Sequence, residues 1–444
     1  MKFTYKDYKK LLTQTNVCVI IYVVIEMNKV YLCIDLKTFF ASVECVERKL
    51  DPFKVDLIVC DPSRTKGAIC LAISPKMKSR GIKNRCRIYD IPKFVKPIIA
   101  KPRMKKYIEY SSLIYGIYLK YIDKKDIHVY SIDEAFLDVT NYLNLYKKTP
   151  KELANVIMED IFKTTGITSA AGIGTNLYLA KIALDITAKH SNDNIGYLDE
   201  EKYIKELSNH LPLSDFWQIG NKTESRLNKL HIRTMEDIRK ADENILYKEF
   251  GINAKLLIDH SYGIEPCTIN DIKRYKTKSN SISNNQILYR DYDYIDAKKV
   301  LTEMIDNIVL ELVSKDLYTN GIAFYIGYSK SEIPSLKVSK KLDKETNSYK
   351  KILDIVLKEY DYRISTIYKI RRIGVCLYNV GKRKYEQLDI FNTSNLEYKE
   401  NKIEQTINDI KKKYGKNSIL RCISLEEGAT QIDRNKLIGG HNAE

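Results

Sequence analysis

The chain has 444 residues and a formal net charge of +17. That length allows several domains with cores of their own, and the charge favours a polyanionic partner. Nine cysteines and six histidines are scattered, with no Cys-x-x-Cys pair and no cluster of zinc spacing, which argues against structural zinc and for reduced thiols in a cytoplasm.

The apolar run Val17–Ile25 is too short to span a bilayer, which takes ~20 residues. Lys9 and Lys10 precede it as they would a signal segment, but no small-residue cleavage site follows. Residues 1–26 read as an upstream extension or a misassigned start before Met27. An extra strand on a sheet edge is the equal alternative.

Val30–Ile34 reads as a buried strand ending on Asp35, and Phe39, Phe40, Val43 and Val46 then recur at helical spacing. Strands are expected at 55–60 and 68–73 around a polar turn, and Pro75 opens a short basic helix ending near Gly81. After a Lys- and Tyr-rich helical stretch, strands at 127–131 and 135–139 flank Asp133-Glu134. A helix over 150–163, a strand over 168–173 and a helix from Asn176 complete the region. Without residues ~50–100 the order is β-α-β-β-α-β, the split motif of ferredoxin-like folds. That topology brings Asp35 beside Asp133 and Glu134. Acids crowded at apolar strand ends are costly unless a cation neutralises them, and hard carboxylate oxygens suit Mg²⁺ with substrate phosphates. Any one of these acids also reads as a surface cap.

Residues ~201–268 read as small helices with turn glycines. Gly220 and Lys222 would offer a helix start and a cation to a phosphate, or simply form a helix–turn–helix packing unit. A second β-α-β-β-α-β pattern is expected over ~280–382, preceded by the basic linker containing Lys276 and Lys278. Its strands are placed near 282–289, 321–328, 333–339 and 370–379, and its helices near 296–315 and 347–360. Such a charge run faces either a phosphate backbone or plain solvent. Gln387-Leu388-Asp389-Ile390-Phe391 reads as a docking peptide in a polar linker, or as a final strand folding back. A helix over 397–414 and a basic end follow.

Together these residues resemble the Y-family translesion DNA polymerases, and the likeness is to the bacterial UmuC-like (DinB/UmuC) branch rather than the DNA polymerase IV branch. It rests on Cys33-Ile-Asp-Leu-Lys-Thr-Phe-Phe-Ala-Ser-Val-Glu44, Ser131-Ile-Asp-Glu-Ala-Phe-Leu-Asp-Val139 and Ala171-Gly-Ile-Gly-Thr-Asn-Leu-Tyr-Leu-Ala-Lys-Ile-Ala183. The resemblance implies an α+β right-hand polymerase. Its parts would be a ferredoxin-like palm (27–50 and 98–200), small fingers (51–97), a helix-hairpin-helix thumb (201–268), a ferredoxin-like little finger (275–385) and a C-terminal tail (386–444). Asp35, Asp133 and Glu134 would be catalytic and would hold two Mg²⁺ ions, or Mn²⁺ as a substitute, with the Leu36 carbonyl completing the second site.

Phe40 matches the family's steric gate against a ribose 2′-OH, with core packing as the alternative. Phe39, Ser74, Lys78 and Lys181 would also contact the nucleotide. Relatives carry Arg where Lys78 stands, so a bidentate fork is lost there. Lys37 replaces an acid common in DNA polymerase IV relatives. Gly220, Lys222, Lys276, Lys278 and Ser281 would contact DNA, and residues 387–391 would bind the bacterial sliding clamp. Partners would be primer-template DNA, deoxynucleoside triphosphates, the clamp and accessory subunits, with no membrane. The enzymatic rival is a nucleotide cyclase, which needs no thumb, second basic domain or clamp peptide. The other rival is a silent DNA- or clamp-binding factor, against which the intact Asp35, Asp133, Glu134 and Lys181 argue.

Overall fold

The computed structural model describes residues 29–64, 67–277, 280–330, 332–383 and 393–444. The expected extension at 1–26, Lys278 and the peptide Gln387–Phe391 lie outside the described residues. The chain divides into two compact units, one reaching Tyr275 and one covering Lys276–Ala443. Among the described residues no helix is long and apolar enough to cross a membrane.

The first unit is built on strand β1 (Tyr31–Leu36), whose residues are buried on both faces except at Asp35. Leu32, Ile34 and Leu36 face a helical layer, while Tyr31 and Cys33 face Phe136, Leu177 and Ala180. Continuous apolar burial of this kind is the mark of a central strand. Strands β2 (Leu57–Val59), β3 (Ala72–Ile73) and β4 (Ile98–Ala100) form a separate small sheet ordered β3-β2-β4. The expected strand over 68–73 is shorter because the Cys70 N–H turns away to the Cys86 carbonyl (2.8 Å). Strand β4 pairs parallel to β2 and belongs with this sheet. The boundary expected at 97 falls immediately before this strand, which pairs with the preceding segment.

The main sheet adds β5 (Ile127–Val129), β6 (Glu134–Asp138), β7 (Ser169–Gly174) and β8 (Ile195–Leu198) in the order β5-β6-β1-β7-β8. Its first four positions carry the split β-α-β topology expected, and β8, unforeseen, extends the sheet parallel to β7. Helices α1 (Phe39–Glu47), α2 (Pro75–Ser79), α3 (Met104–Tyr121) and α4 (Pro150–Thr165) follow the expected positions. α4 is bounded as its sequence dictates: Thr149 and Glu152 form a capping box, Pro150 opens the helix, and Gly166 closes it at φ 71°. A short helix α5 (Leu177–Ile182) runs into a π-helical turn at Ala183–Thr187. Beyond β8 the unit is helical, as expected. Trp217 binds this part to the sheet by packing on Phe136 (5.9 Å) and donating to the Tyr130 hydroxyl (3.1 Å).

The second unit has strands β9 (Ser281–Tyr292), β10 (Thr319–Tyr328), β11 (Leu336–Thr346) and β12 (Ile370–Tyr378) in one antiparallel sheet. Helices at Tyr294–Ser314 and Tyr349–Arg363 cover one face. The β-α-β-β-α-β succession is the one expected, but the strands lie in the order β11-β10-β12-β9, which differs from the first sheet's.

The segment from Thr393 to Ala443, expected as a tail, is part of this unit. Its helix, Thr393–Tyr414, packs on the Tyr294–Ser314 helix. Buried Glu303 on that helix accepts the N–H groups of Thr430 (2.8 Å) and Gln431 (3.1 Å). Arg434 donates to Asn284 on β9 (2.8 Å), and Arg421 lies over the Tyr349 ring (3.6 Å) while bonding Glu404 (2.6 Å).

Candidate active site

The site is assembled where β1 and β6 run side by side. Asp35 is the direct cross-strand partner of Glu134, so the two carboxylates share one face of the sheet. The Leu36 N–H donates to the Asp133 carbonyl (2.9 Å), which holds the hairpin's acid against the end of β1. Asp35 thus meets the adjacent pair Asp133 and Glu134, far along the chain, because two antiparallel strands are in register. The Ser131 hydroxyl donates to Asp133 Oδ1 (2.6 Å) and the Cys33 thiol to Glu134 Oε1 (3.0 Å).

The electrostatics of this corner are unbalanced. Burial, with the Asp133 and Glu134 charges beside it, raises the Asp35 carboxyl to about 7. Lys181 answers part of the excess. Its Nζ sits 2.8 Å from Glu134 Oε1 and 3.1 Å from Asp185 Oδ2. Burial alone would lower the Lys181 ammonium, but Asp185 and Glu134 outweigh it and hold it raised. Among the described residues no three His, Cys, Asp or Glu side chains already converge tightly enough to hold an ion. Glu134 is turned onto Lys181 instead. The donor set is nonetheless that of a hard divalent cation: carboxylate oxygens, one of them costly to ionise without positive charge nearby.

Lys181 is delivered by close packing of α5 on β7. A Cβ at Gly172 would stand 2.0 Å from the Ala180 carbonyl oxygen, and one at Gly174 2.2 Å from the Ala180 nitrogen. Only glycine at these two positions lets the helix lie directly on the strand. Asn176 caps the helix by accepting from the Leu179 N–H (2.8 Å).

On the other side stand Lys37 and Lys78. Both ammonium groups are lowered by burial, Asp35 opposes that shift in each, Lys78 adds to the lowering of Lys37, and Lys189 adds to that of Lys78. Lys37, Lys78 and Lys181 therefore all interact with Asp35, and Lys189 acts on Lys78; Lys189 was not foreseen and Lys37 was not assigned a role. Lys37 also bonds Asn194 Oδ1.

Two of the expected nucleotide contacts have buried side chains. Phe39 is 2% exposed in the core under the helical layer. The Ser74 hydroxyl is fully buried; it donates to the Val55 carbonyl (2.7 Å) and accepts from the Leu57 N–H (3.2 Å). Neither side chain presents surface to a ligand. Phe40 is half-buried, and its ring stacks on Tyr107 (4.5 Å, 22°). Gly220 is the exposed N-cap of the Asn221–Lys229 helix, without a side-chain cap, and Lys222 lies exposed in its first turn. Lys276 and Ser281 are exposed in the second unit.

The uncovered face of the second sheet carries Ser281, Ser283, Asn285 and Ile287 on β9, Arg372 on β12, and Lys337 and Lys341 on β11. Sequence reasoning found only the ends of this face. The alternation of β9, exposed at every second position, was the signal available.

A carboxylate corner on a split β-α-β sheet, with Lys181 paired to it, in a chain with a second basic sheet domain, fits a nucleotidyl-transferring polymerase. The model of the impB/mucB/samB family matches residues 34–185, and that of its C-terminal domain matches 279–390. UvrX of Bacillus subtilis (strain 168) is 32% identical over 94% of this chain and 98% of its own length. DNA polymerase IV 2 of the same organism is 28% identical over 93% and 99%. DNA polymerase IV of Clostridium acetobutylicum (strain ATCC 824) is 28% identical over 90% and 99%. A solved Y-family DNA polymerase chimera superposes with a TM-score of 0.59 at 25% identity, covering 80% of this chain and all of its own. The chain belongs to the impB/mucB/samB family of Y-family translesion DNA polymerases.

Proposed function

We propose that this polymerase adds deoxynucleotides to a primer 3′-OH, directed by a template strand, with Asp35, Asp133, Glu134 and the Leu36 carbonyl holding two Mg²⁺ ions. Family membership implies a divalent metal requirement; the identity and number of the ions belong to this reading. The observation that carries it is the pairing of Asp35 with Glu134 beside Asp133, with Asp35 raised to about 7 by burial and by those two carboxylates. Bound there, the ions would supply activation of the primer hydroxyl and neutralisation of the leaving pyrophosphate. Lys37, Lys78, Lys181 and Lys189 would orient the triphosphate, and Phe40 would lie beneath the sugar and exclude a 2′-OH. The remaining work is positioning and charge stabilisation.

The split sheet would serve as palm, the β3-β2-β4 sheet as fingers, the helices beyond β8 as thumb and the second unit as little finger. Gly220 and Lys222 would grip one stretch of DNA backbone, and Lys276, Lys278 and the open basic sheet another. Such contacts carry no sequence information, which suits an enzyme that must work on any template. The small fingers would press little on the nascent pair, so damaged bases are tolerated at the cost of fidelity. Gln387–Phe391 would tether the enzyme to the sliding clamp and raise its low processivity. The setting would be the cytoplasm, with accessory subunits as further partners.

Primer extension on an undamaged template tests the reading. The Asp133→Asn/Glu134→Gln variant is expected to lose synthesis entirely while binding primer-template as the parent does. Synthesis surviving in that variant would overturn the site assignment.

A further inference from the structure

A buried network beneath Phe40 has no part in the chemistry above. Glu44 is fully buried on α1. Its carboxylate accepts Arg103 Nε (3.0 Å) on one oxygen and Arg103 Nη2 (2.9 Å) on the other, a two-point clamp. Arg48 bonds it as well. The Tyr107 hydroxyl donates to Glu44 Oε1 (2.8 Å), and Tyr107 has no exposed surface. This phenol is therefore held at its tip by a carboxylate that is itself held by two guanidiniums. Its ring lies against Phe40, centroids 4.5 Å apart and planes 22° from parallel. Phe39 braces the same ring edge-on at 6.5 Å.

We infer that Tyr107, fixed by Glu44 and Arg103, is the positioning residue that sets the plane of the Phe40 ring and thereby the strength of discrimination between deoxyribo- and ribonucleotides. The inference rests on the reading of Phe40 as the residue beneath the sugar. A ring excludes a hydroxyl only if it cannot retreat. Phe40 has one polar-free side chain with two rotatable bonds and is only half-buried, so nothing of its own holds it forward. Tyr107 blocks the retreat from behind. The Tyr107 ring cannot slide aside while its hydroxyl stays on Glu44, and Glu44 cannot move while both its oxygens are engaged by Arg103. Stacked aromatic pairs favour one arrangement by about a factor of ten, which is the size of effect expected on selectivity.

The test compares single-nucleotide insertion of a deoxynucleotide and the matching ribonucleotide by the full chain, as the ratio of the two kcat/KM values. Tyr107→Leu removes the stacking ring, and Tyr107→Phe keeps the ring but frees it from Glu44. Phe40→Ala is the control for the underlying reading. The ratio is expected to fall by about tenfold in Tyr107→Leu and by a smaller factor in Tyr107→Phe, with deoxynucleotide insertion largely retained. Adding Tyr107→Leu to Phe40→Ala is expected to change the ratio no further. Loss of selectivity in Phe40→Ala with parental selectivity in both Tyr107 variants would overturn the positioning role alone. Parental selectivity in Phe40→Ala would overturn the reading of Phe40, and the inference with it. Should Tyr107→Leu fail to fold, Tyr107→Phe decides the matter by the same ratio.

Discussion

Glu44 and Lys181 are both buried charges, yet their chemistry differs. Burial would raise the Glu44 carboxyl, but hydrogen bonds from Arg103, Arg48 and Tyr107 outweigh it and hold it below the ordinary value of 4.5. A depressed folded-state pKa stabilises the protein fully above 4.5, and that stability is lost as pH falls through the folded value. Glu44→Gln should therefore cost roughly 3 kcal/mol at neutral pH, since two guanidiniums lose their partner. It should also flatten the decline in thermal stability below pH 4.5, which melting curves across pH 3–7 would reveal. A parental acid limb in the variant would contradict the network's role.

Lys181, 8% exposed, pairs with Glu134, 9% exposed, and stands where positive charge is needed. In Lys181→Met, Glu134 is left buried with no cation. The metal-free variant should lose roughly 3 kcal/mol, and added Mg²⁺ should raise its melting temperature more than it raises the parent's. An equal Mg²⁺ response in both would argue that the ion does not bind at Glu134. The carboxylates were legible in sequence because acids ending apolar runs are rare. The Glu44 network was not, because a glutamate on an amphipathic helix reads the same whether it faces solvent or a buried arginine.

At the scale of elements, the decisive contact is α5 on β7. Gly172→Ala or Gly174→Ala would force a methyl to within 2.0 or 2.2 Å of the α5 backbone, so the helix must lift. Each should destabilise the protein by roughly 2 kcal/mol. Each should also depress deoxynucleotide insertion, because Lys181 rides on the displaced helix. Chemical denaturation and single-nucleotide kinetics would check both; full activity in a destabilised variant would separate the packing from the site. Sequence periodicity placed most helices and strands within a few residues of their observed positions. It missed β8, whose four residues, Ile195–Leu198, are too short for a periodic signal and pair only because β7 leaves an edge open. It also overextended the strand at 68–73, where the Cys70 N–H bonds Cys86 rather than the sheet.

At the scale of the whole molecule, the C-terminal segment changes the account of the second unit. Glu303, Asn284 and Asp306 all take partners from residues 421–434. Ending the chain at residue 392 should expose these groups and the outer face of the Tyr294–Ser314 helix. Amide exchange in that helix and in β9 should then speed up, while exchange in β1 and β6 stays parental. Unchanged protection in β9 would mean the segment is dispensable for the fold.

The sequence by itself determined the class of enzyme and suggested where its chemistry would lie. Three acids at apolar strand ends, a lysine on the helix after β7, and an excess of 17 positive charges are statements of composition and order, and no folding is needed to read them. Tertiary structure decided which of the neighbouring residues are free to act. Phe39 and Phe40 are adjacent and identical in kind, yet one is spent in the core and the other stands against Tyr107. Ser74 reads as a ligand-facing hydroxyl until the fold buries it between the Val55 carbonyl and the Leu57 N–H. Burial and partnership are properties of distant segments brought together, so they are absent from any local pattern and arise only when the chain packs.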